Sequence, residues 1–236
     1  MRRVLTAAVA VVMGLSAVLT LLLTAVEVVV FDEARYARAY EETGRAQAIG
    51  ISQMELMGVT RHLLGYLKGT QADLNVQATI GGVARPVFND RELQHMADVQ
   101  LLFRGGFILR NICLVVCLLA VAALWLLERR WTLAFPGGYL VAVGLMLLLL
   151  ALFGIAAATD FNGLFLRFHE LAFTNDLWLL DPRTDVLIQM YPEVFFNDMA
   201  LAIVRTIAVF LLIPAVLAII NVVCLRRRKK KGVSTP

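Results

Sequence analysis

Two of the three histidines in this chain stand in dense polar strings, His95 in Asp90-Arg-Glu-Leu-Gln-His-Met-Ala-Asp-Val99 and His169 in Phe165-Leu-Arg-Phe-His-Glu-Leu-Ala-Phe-Thr-Asn-Asp176. Imidazole is the side chain suited to moving protons near neutral pH. Glu92, His95 and Asp98 recur every third residue, so on a helix each carboxylate lies one turn from the imidazole, where it can fix the tautomer and hold the charged form. The plain alternative is a solvated helix face or a structural His–Asp hydrogen bond. His62 has no comparable acidic surroundings and reads as packed or exposed. Glu92-x-x-His95 also matches half of a bundle-type metal site, with His169-Glu170 as further ligands of a zinc hydrolase. No His-Glu-x-x-His and no nearby Cys ligand supports that reading, and neither a metal nor another cofactor is expected. No Gly-x-Ser-x-Gly elbow or Gly-rich phosphate loop suggests a Ser triad or a nucleotide enzyme.

The elements that must position these histidines are set by a membrane. Of 236 residues, 60% are hydrophobic, and the mean hydropathy is +0.76. Four stretches, Val4–Val30, Phe107–Leu127, Pro136–Ala158 and Met199–Leu225, reach the roughly 20 residues that a helix needs to cross the hydrocarbon layer. The first is longer than a signal-peptide core and reads as an uncleaved anchor. Ten of the 22 Lys and Arg residues fall in three short segments, Arg2-Arg3, Arg129-Arg130 (within the turn 128–135) and Arg226 to Lys231 (within the tail 226–236). Positive residues gather on the cytoplasmic side, so both termini are expected there and the segments 31–106 and 159–198 outside. The pI of about 9.2 then points to anionic lipid headgroups, not nucleic acid. Cys113, Cys117 and Cys224 all fall in spans as small apolar residues, which leaves none outside for a disulfide.

In the first external segment Ser52 and Glu55 form a capping-box pattern, each expected to satisfy a free N–H at the start of a helix reaching about Lys68. Leu74 to Ile80 alternates apolar and polar, breaks at Gly81-Gly82 and resumes towards Val87-Phe88, a hairpin signal. Asn89 and Glu92 repeat the capping pattern, opening a helix through His95 into the second span. In the second external segment Asp181 to Asp185 reads as a tight turn, and Pro192-Glu193 suits the first turn of the fourth span. The aromatics Phe161, Phe165, Phe168, Phe173, Trp178, Phe195 and Phe196 read either as an interfacial belt or as the wall of a dry lipid chamber. The expected fold is all-α transmembrane, a four-helix membrane bundle with a small mixed α+β extracytoplasmic cap.

The strings Glu92-Leu-Gln-His-Met-Ala-Asp-Val99, Phe168-His-Glu-Leu-Ala-Phe-Thr-Asn-Asp-Leu-Trp178 and Leu187-Ile-Gln-Met-Tyr-Pro-Glu-Val-Phe-Phe196 closely resemble the bacterial lipoprotein intramolecular transacylase family. The resemblance covers most of the chain and implies a cell-membrane enzyme whose substrate is a diacylglyceryl-modified lipoprotein. It would move the sn-2 acyl chain to the α-amino group of the lipoprotein's own N-terminal cysteine, giving a lyso-form product. His95 and His169 are carried over as the catalytic pair. Aminolysis of an ester needs a base for the amine proton and an acid for the departing oxygen, tasks that two imidazoles can divide. Tyr191, Arg167 or backbone amides near Pro192 are candidates for the oxyanion, while Glu92, Asp98, Glu170, Asp176, Asp181, Glu193 and Trp178 read as orienting or supporting residues. The alternative functions are a metal-dependent membrane hydrolase and a non-catalytic membrane protein. Oligomeric state is not legible in the sequence.

Overall fold

The computed structural model describes residues 2–127 and 131–231. Arg129 and Arg130 of the expected basic turn, and residues 232–236 of the tail, lie outside the described residues. The elements are α1 Arg2–Val30, α2 Glu33–Thr43, α3 Arg45–Ile49, α4 Gln53–Lys68, β1 Gln77–Ile80, β2 Val83–Pro86, α5 Asp90–Leu127, α6 Trp131–Thr159, α7 Phe161–Ala172, α8 Val186–Met190 and α9 Glu193–Lys231. Four of them, α1, α5, α6 and α9, are long and apolar enough to cross a membrane, and β1 and β2 form a two-stranded sheet. The fold class is therefore the expected helical membrane bundle with a small mixed part.

The chain divides into two compact units. The first comprises Met1–Glu27, Ile108–Ile155 and Ala202–Pro236. Its core joins Met13, Val18 and Ala25 to Ala120, Tyr139, Ala142, Ile207, Leu211 and Ala215. The alanines among them let helix backbones approach closely where lipid supplies no hydrophobic drive. Two helices approach closely at Gly14 and Gly138: a Cβ on either would collide with backbone of the other helix. Polar groups here find partners inside the protein, as an apolar solvent demands. The Tyr139 hydroxyl donates to the Leu211 carbonyl at 3.0 Å, one turn before Pro214 in α9. Ser16, Thr20 and Thr24 donate back to carbonyls of the preceding turn of α1, and Arg110 pairs with Glu27.

The second unit comprises Val28–Phe107 and Ala156–Leu201. Its hairpin turns at Gly81-Gly82, both at positive φ (62° and 82°), and this places Ile80 opposite Val83; a two-residue turn of that hand matches strand twist, and glycine adopts it freely. Ser52 caps α4 as expected, with its hydroxyl oxygen accepting from the Glu55 N–H. Glu55 does something other than the expected reciprocal bond. One of its carboxylate oxygens takes the Ser52 hydroxyl at 2.7 Å and the other takes the Thr79 N–H at 3.0 Å, tying α4 to the hairpin. Helices α2, α3, α7 and α8 were not foreseen in the sequence. In α2 the buried stripe is Tyr36 and Tyr40 within a polar string, so the aliphatic periodicity that signals a helix is missing. Both phenols are pushed above their ordinary pKa by burial. The Tyr40 hydroxyl meets Thr60 at 2.7 Å, and Thr60 meets Tyr191 at 3.4 Å.

Replacing Gly14 or Gly138 with leucine should destabilise the first unit by about 1–3 kcal/mol, the usual cost of overpacking, whereas Gly144→Ala, which meets open space, should be neutral or mildly stabilising. Thermal unfolding in detergent checks this; equal melting temperatures for all three variants would show that the close approach does not hold the helices together.

Candidate active site

The site is built from the first turns of α5 outward. Asn89 and Glu92 form the full reciprocal box: the Asn89 side-chain oxygen accepts the Glu92 N–H at 3.0 Å, and a Glu92 carboxylate oxygen accepts the Asn89 N–H at 2.7 Å. The other Glu92 oxygen accepts the Leu187 N–H at 2.6 Å, at the start of α8. With 1% of its surface exposed, this carboxylate is satisfied by backbone donors from both external segments. Asn89 also donates its side-chain amide to Asp185 at 2.8 Å, and Asp185 accepts the Asp181 N–H at 2.7 Å.

The same geometry revises one expectation, because Glu92 does not reach His95. Asp98 does not flank it by hydrogen bond either, but accepts from the Asn175 side-chain amide at 2.9 Å. Arg91, His95 and Asp98 share a face of α5 at four- and three-residue spacing. Arg91, one turn before His95, donates to the Asp176 carbonyl and pairs with its carboxylate. The 173–178 stretch is thus gripped on both sides of His95.

His95 is brought to His169, on α7, with ring centroids 6.2 Å apart. Both are buried. Phe173, which ends α7, lies 5.2 Å from the His95 ring and 5.7 Å from the His169 ring. Phe165 at 4.2 Å and Trp178 at 5.1 Å complete an aromatic wall around His169, and the Trp178 indole N–H is anchored on the Asn175 carbonyl. His169 Nδ1 is 2.7 Å from the Phe165 carbonyl. Since a carbonyl only accepts, Nδ1 carries the proton and Nε2 of the neutral ring carries the lone pair. Burial pulls the His169 pKa below its ordinary 6.5, opposed by that hydrogen bond. Nδ1 of His95 is buried without a hydrogen-bond partner. The pair therefore offers a lone pair and an unused ring nitrogen in a water-poor recess.

The remaining candidates are dispersed. Glu170 and Glu193 are exposed, and Arg167 is exposed two positions from His169, on the opposite side of α7. Asp176 serves Arg91, while the Arg183 guanidinium holds the Asp181 carboxyl down at about 2. Tyr191 is not placed as an oxyanion donor. It stacks with Tyr40 and packs on Tyr36 and Phe195, its hydroxyl lies nearest Thr60, and burial raises its pKa. Among the described residues no three His, Cys, Asp or Glu side chains converge as metal ligands, and the Glu92-x-x-His95 half-site is not assembled because Glu92 turns to Leu187. His62 donates to the Asp73 carbonyl at 2.8 Å. The sequence reading missed the roles of Arg91, Asn175 and Asp185; the recurrence of Arg91, His95 and Asp98 on one helical face was the available signal.

A family model described as lipoprotein intramolecular transacylase Lit matches residues 11–196. Among solved structures, the membrane-integral lipoprotein intramolecular transacylase Lit from Bacillus cereus superposes with a TM-score of 0.73 at 18% identity, over 98% of this chain and 99% of that one. Two structures of the Bacillus cereus protein with one histidine replaced, by arginine and by alanine, give TM-scores of 0.70 and 0.68 at 20% identity, over 98% and 96% of this chain and 95% and 96% of theirs. At such identities the likeness is one of fold. A comparison with curated proteins found no match.

Glu92→Gln should lower the unfolding temperature although it preserves shape, because an amide NH₂ replaces an acceptor and leaves one buried N–H facing a donor, a cost of about 1–3 kcal/mol. A variant that melts with the wild type would show that the clasp is dispensable.

Proposed function

The chain belongs to the lipoprotein intramolecular transacylase family of acyltransferases, and from that premise we propose that it moves the sn-2 acyl chain of a diacylglyceryl lipoprotein to the α-amino group of that lipoprotein's N-terminal cysteine. The observation that carries this reading is the pair of buried imidazoles, 6.2 Å between centroids, within an aromatic wall. An ester and an amine belonging to one substrate need only be held together and supplied with a proton path.

Nε2 of His169 takes the amine proton as nitrogen attacks the ester carbonyl, and a new C–N bond forms. As the C–O bond to glycerol breaks, the departing oxygen needs one proton. His95 relays it, accepting on one ring nitrogen the proton held by His169 and giving one from the other, so both rings end neutral. The hydrogen bond from Nδ1 of His169 to Phe165 supports His169 as the base. Two chains end on the product, one as an amide and one still on glycerol. On this reading the substrate partner is the lipoprotein within membrane lipid. The basic clusters support a topology with both termini in the cytoplasm and the histidines at the external membrane interface.

Mass spectrometry of a lipoprotein's N-terminal peptide, made with and without this chain, tests the reaction: the expected product is N-acylated and lyso. A substrate whose amine is acetylated should be inert, and undiminished loss of its sn-2 chain would instead mean hydrolysis. His95→Ala and His169→Ala should each lose about 10²–10⁴-fold in activity, the double variant less than the product of the two, and His62→Ala little. A folded His95→Ala enzyme with near wild-type rates would remove the pair from the chemistry.

The base works only when neutral, and burial lowers the His169 pKa, so neutral ring persists below the ordinary value and is lost as pH falls through the lowered one. The His169 ring should therefore titrate below pH 6.5 in the free enzyme, as read from its imidazole NMR signals, while the substrate α-amine imposes its own acid limb on kcat/KM; a ring titrating above that value would contradict the assignment. A single Cys at Gly82 should react with an impermeant thiol reagent in intact cells, and labelling only after lysis would invert the topology.

A further inference from the structure

Taking a proton turns the His169 ring into an imidazolium, a cation that its buried surroundings have to accommodate. Burial opposes the charge, and the Phe165 carbonyl on Nδ1 favours it. Facing His169 from α5 is His95, a ring whose own charge would repel it, and the Asp98 carboxylate of that helix acts on His95. Asp176, on the 173–178 stretch, is paired with Arg91, while Arg167 and Glu170 on α7 are exposed. Among the described residues no carboxylate forms an ion pair with His169. A buried cation without a counter-ion is costly, so its compensation has to come from groups that carry no formal charge.

Trp178 has the geometry to supply it. Its ring centroid lies 5.1 Å from that of His169, and the two planes are inclined by 31°, an offset-stacked relation in which the indole turns its electron-rich face to the imidazole. Phe168, by contrast, stands at 85° to it. Of the aromatic side chains, Trp offers the strongest attraction to a cation within about 6 Å of the ring centroid. The indole is also held in place. Its N–H donates to the Asn175 carbonyl at 2.9 Å, the Asn175 side-chain oxygen accepts the Leu177 N–H at 3.1 Å, and the Asn175 amide donates to Asp98 at 2.9 Å. Asn175 thus ties the indole to the helix that carries His95. We propose that Trp178, fixed by Asn175, is a positioning residue that acts through His169, its indole face stabilising the imidazolium formed as Nε2 takes the substrate's amine proton. The source of that proton, and nothing else in the proposal, rests on the transacylase reading above.

The test titrates the His169 imidazole by NMR in detergent micelles, its signals assigned by their loss in His169→Ala, and follows turnover of a synthetic diacylglyceryl lipopeptide. Trp178→Leu keeps an apolar side chain but removes the aromatic face. It should lower the His169 pKa by about 0.5–1 pH unit and kcat by about three- to tenfold, with KM little changed. Trp178→Phe, which restores a weaker face, should lie between Leu and wild type on both measures. Tryptophan fluorinated on its benzene ring, placed at 178 alone in a Trp125→Phe, Trp131→Phe background, keeps the shape while weakening the face, so it should lower the pKa even if Trp178→Leu fails to fold. A His169 pKa that rises in Trp178→Leu, as it would if the indole only kept water out, or that does not move on fluorination, would overturn the proposal, as would a lowered pKa with kcat unchanged. Wild-type enzyme that leaves the lipopeptide amine unacylated would instead overturn the transacylase reading, while the titration still decides whether the indole stabilises the charged ring.

Discussion

A carboxylate taken out of water has to be satisfied on both oxygens, and Glu92 meets that demand with the N–H groups of Asn89 and Leu187. One donor opens α5 and the other opens α8, and the bond from Leu187 to Glu92 spans 95 residues of sequence. Unpaired, a buried charge of this kind would be prohibitive; paired with two backbone donors it fixes where both helices begin. The start of α5 in turn decides which residues leave it on a common face. Arg91, His95 and Asp98 do, and the outer two hold the 173–178 stretch on either side of the histidine. Trp178, anchored on Asn175, is thereby set against His169.

Regular patterns were the legible part of the sequence. Long apolar runs gave the spanning helices, Gly81-Gly82 between alternating residues gave the hairpin, and Asn89 with Glu92 gave the start of α5. Each rests on local chemistry that the chain carries in consecutive residues. Helix α2 escaped because tyrosines, not aliphatic residues, form its buried stripe, and α7 because its apolar arc is so wide that it reads as an aromatic belt. The partners of polar groups were less legible still. Helical spacing sets Glu92 and Asp98 one turn from His95; burial lowers the His95 pKa and Asp98 opposes it from there, but the hydrogen-bond partners of the two acids, Leu187 and Asn175, are distant in sequence. A carboxylate buried beside a free backbone N–H takes it, since a capped helix start gains more than a nearby neutral ring offers.

On the proposed mechanism the two imidazoles are at once buried and reactive. Burial disfavours the charged ring and keeps His169 in the form that accepts a proton, while the Phe165 carbonyl selects which nitrogen accepts it. On the proposed reaction, aromatic side chains around the rings would limit the competing loss of the acyl chain to water. Phe173 lies within 6 Å of both rings, so one side chain packs against the pair.

A site with two proton carriers, no side-chain nucleophile and no assembled metal half-site looks sparse for acyl transfer, but on the proposed reaction the substrate brings the nucleophile. Its amine and ester are tethered through one cysteine, and well-oriented intramolecular reactions reach effective molarities on the order of 10⁵–10⁸ M. What the protein must add is restraint of a flexible lipid and a path for one proton. Restraint falls to apolar and aromatic side chains around the histidines, and the proton path falls to His169 and His95. A hydrolase on the same scaffold would need the opposite arrangement, an open polar route delivering and activating water, and the recess between these rings is walled by Phe165, Phe173 and Trp178 instead.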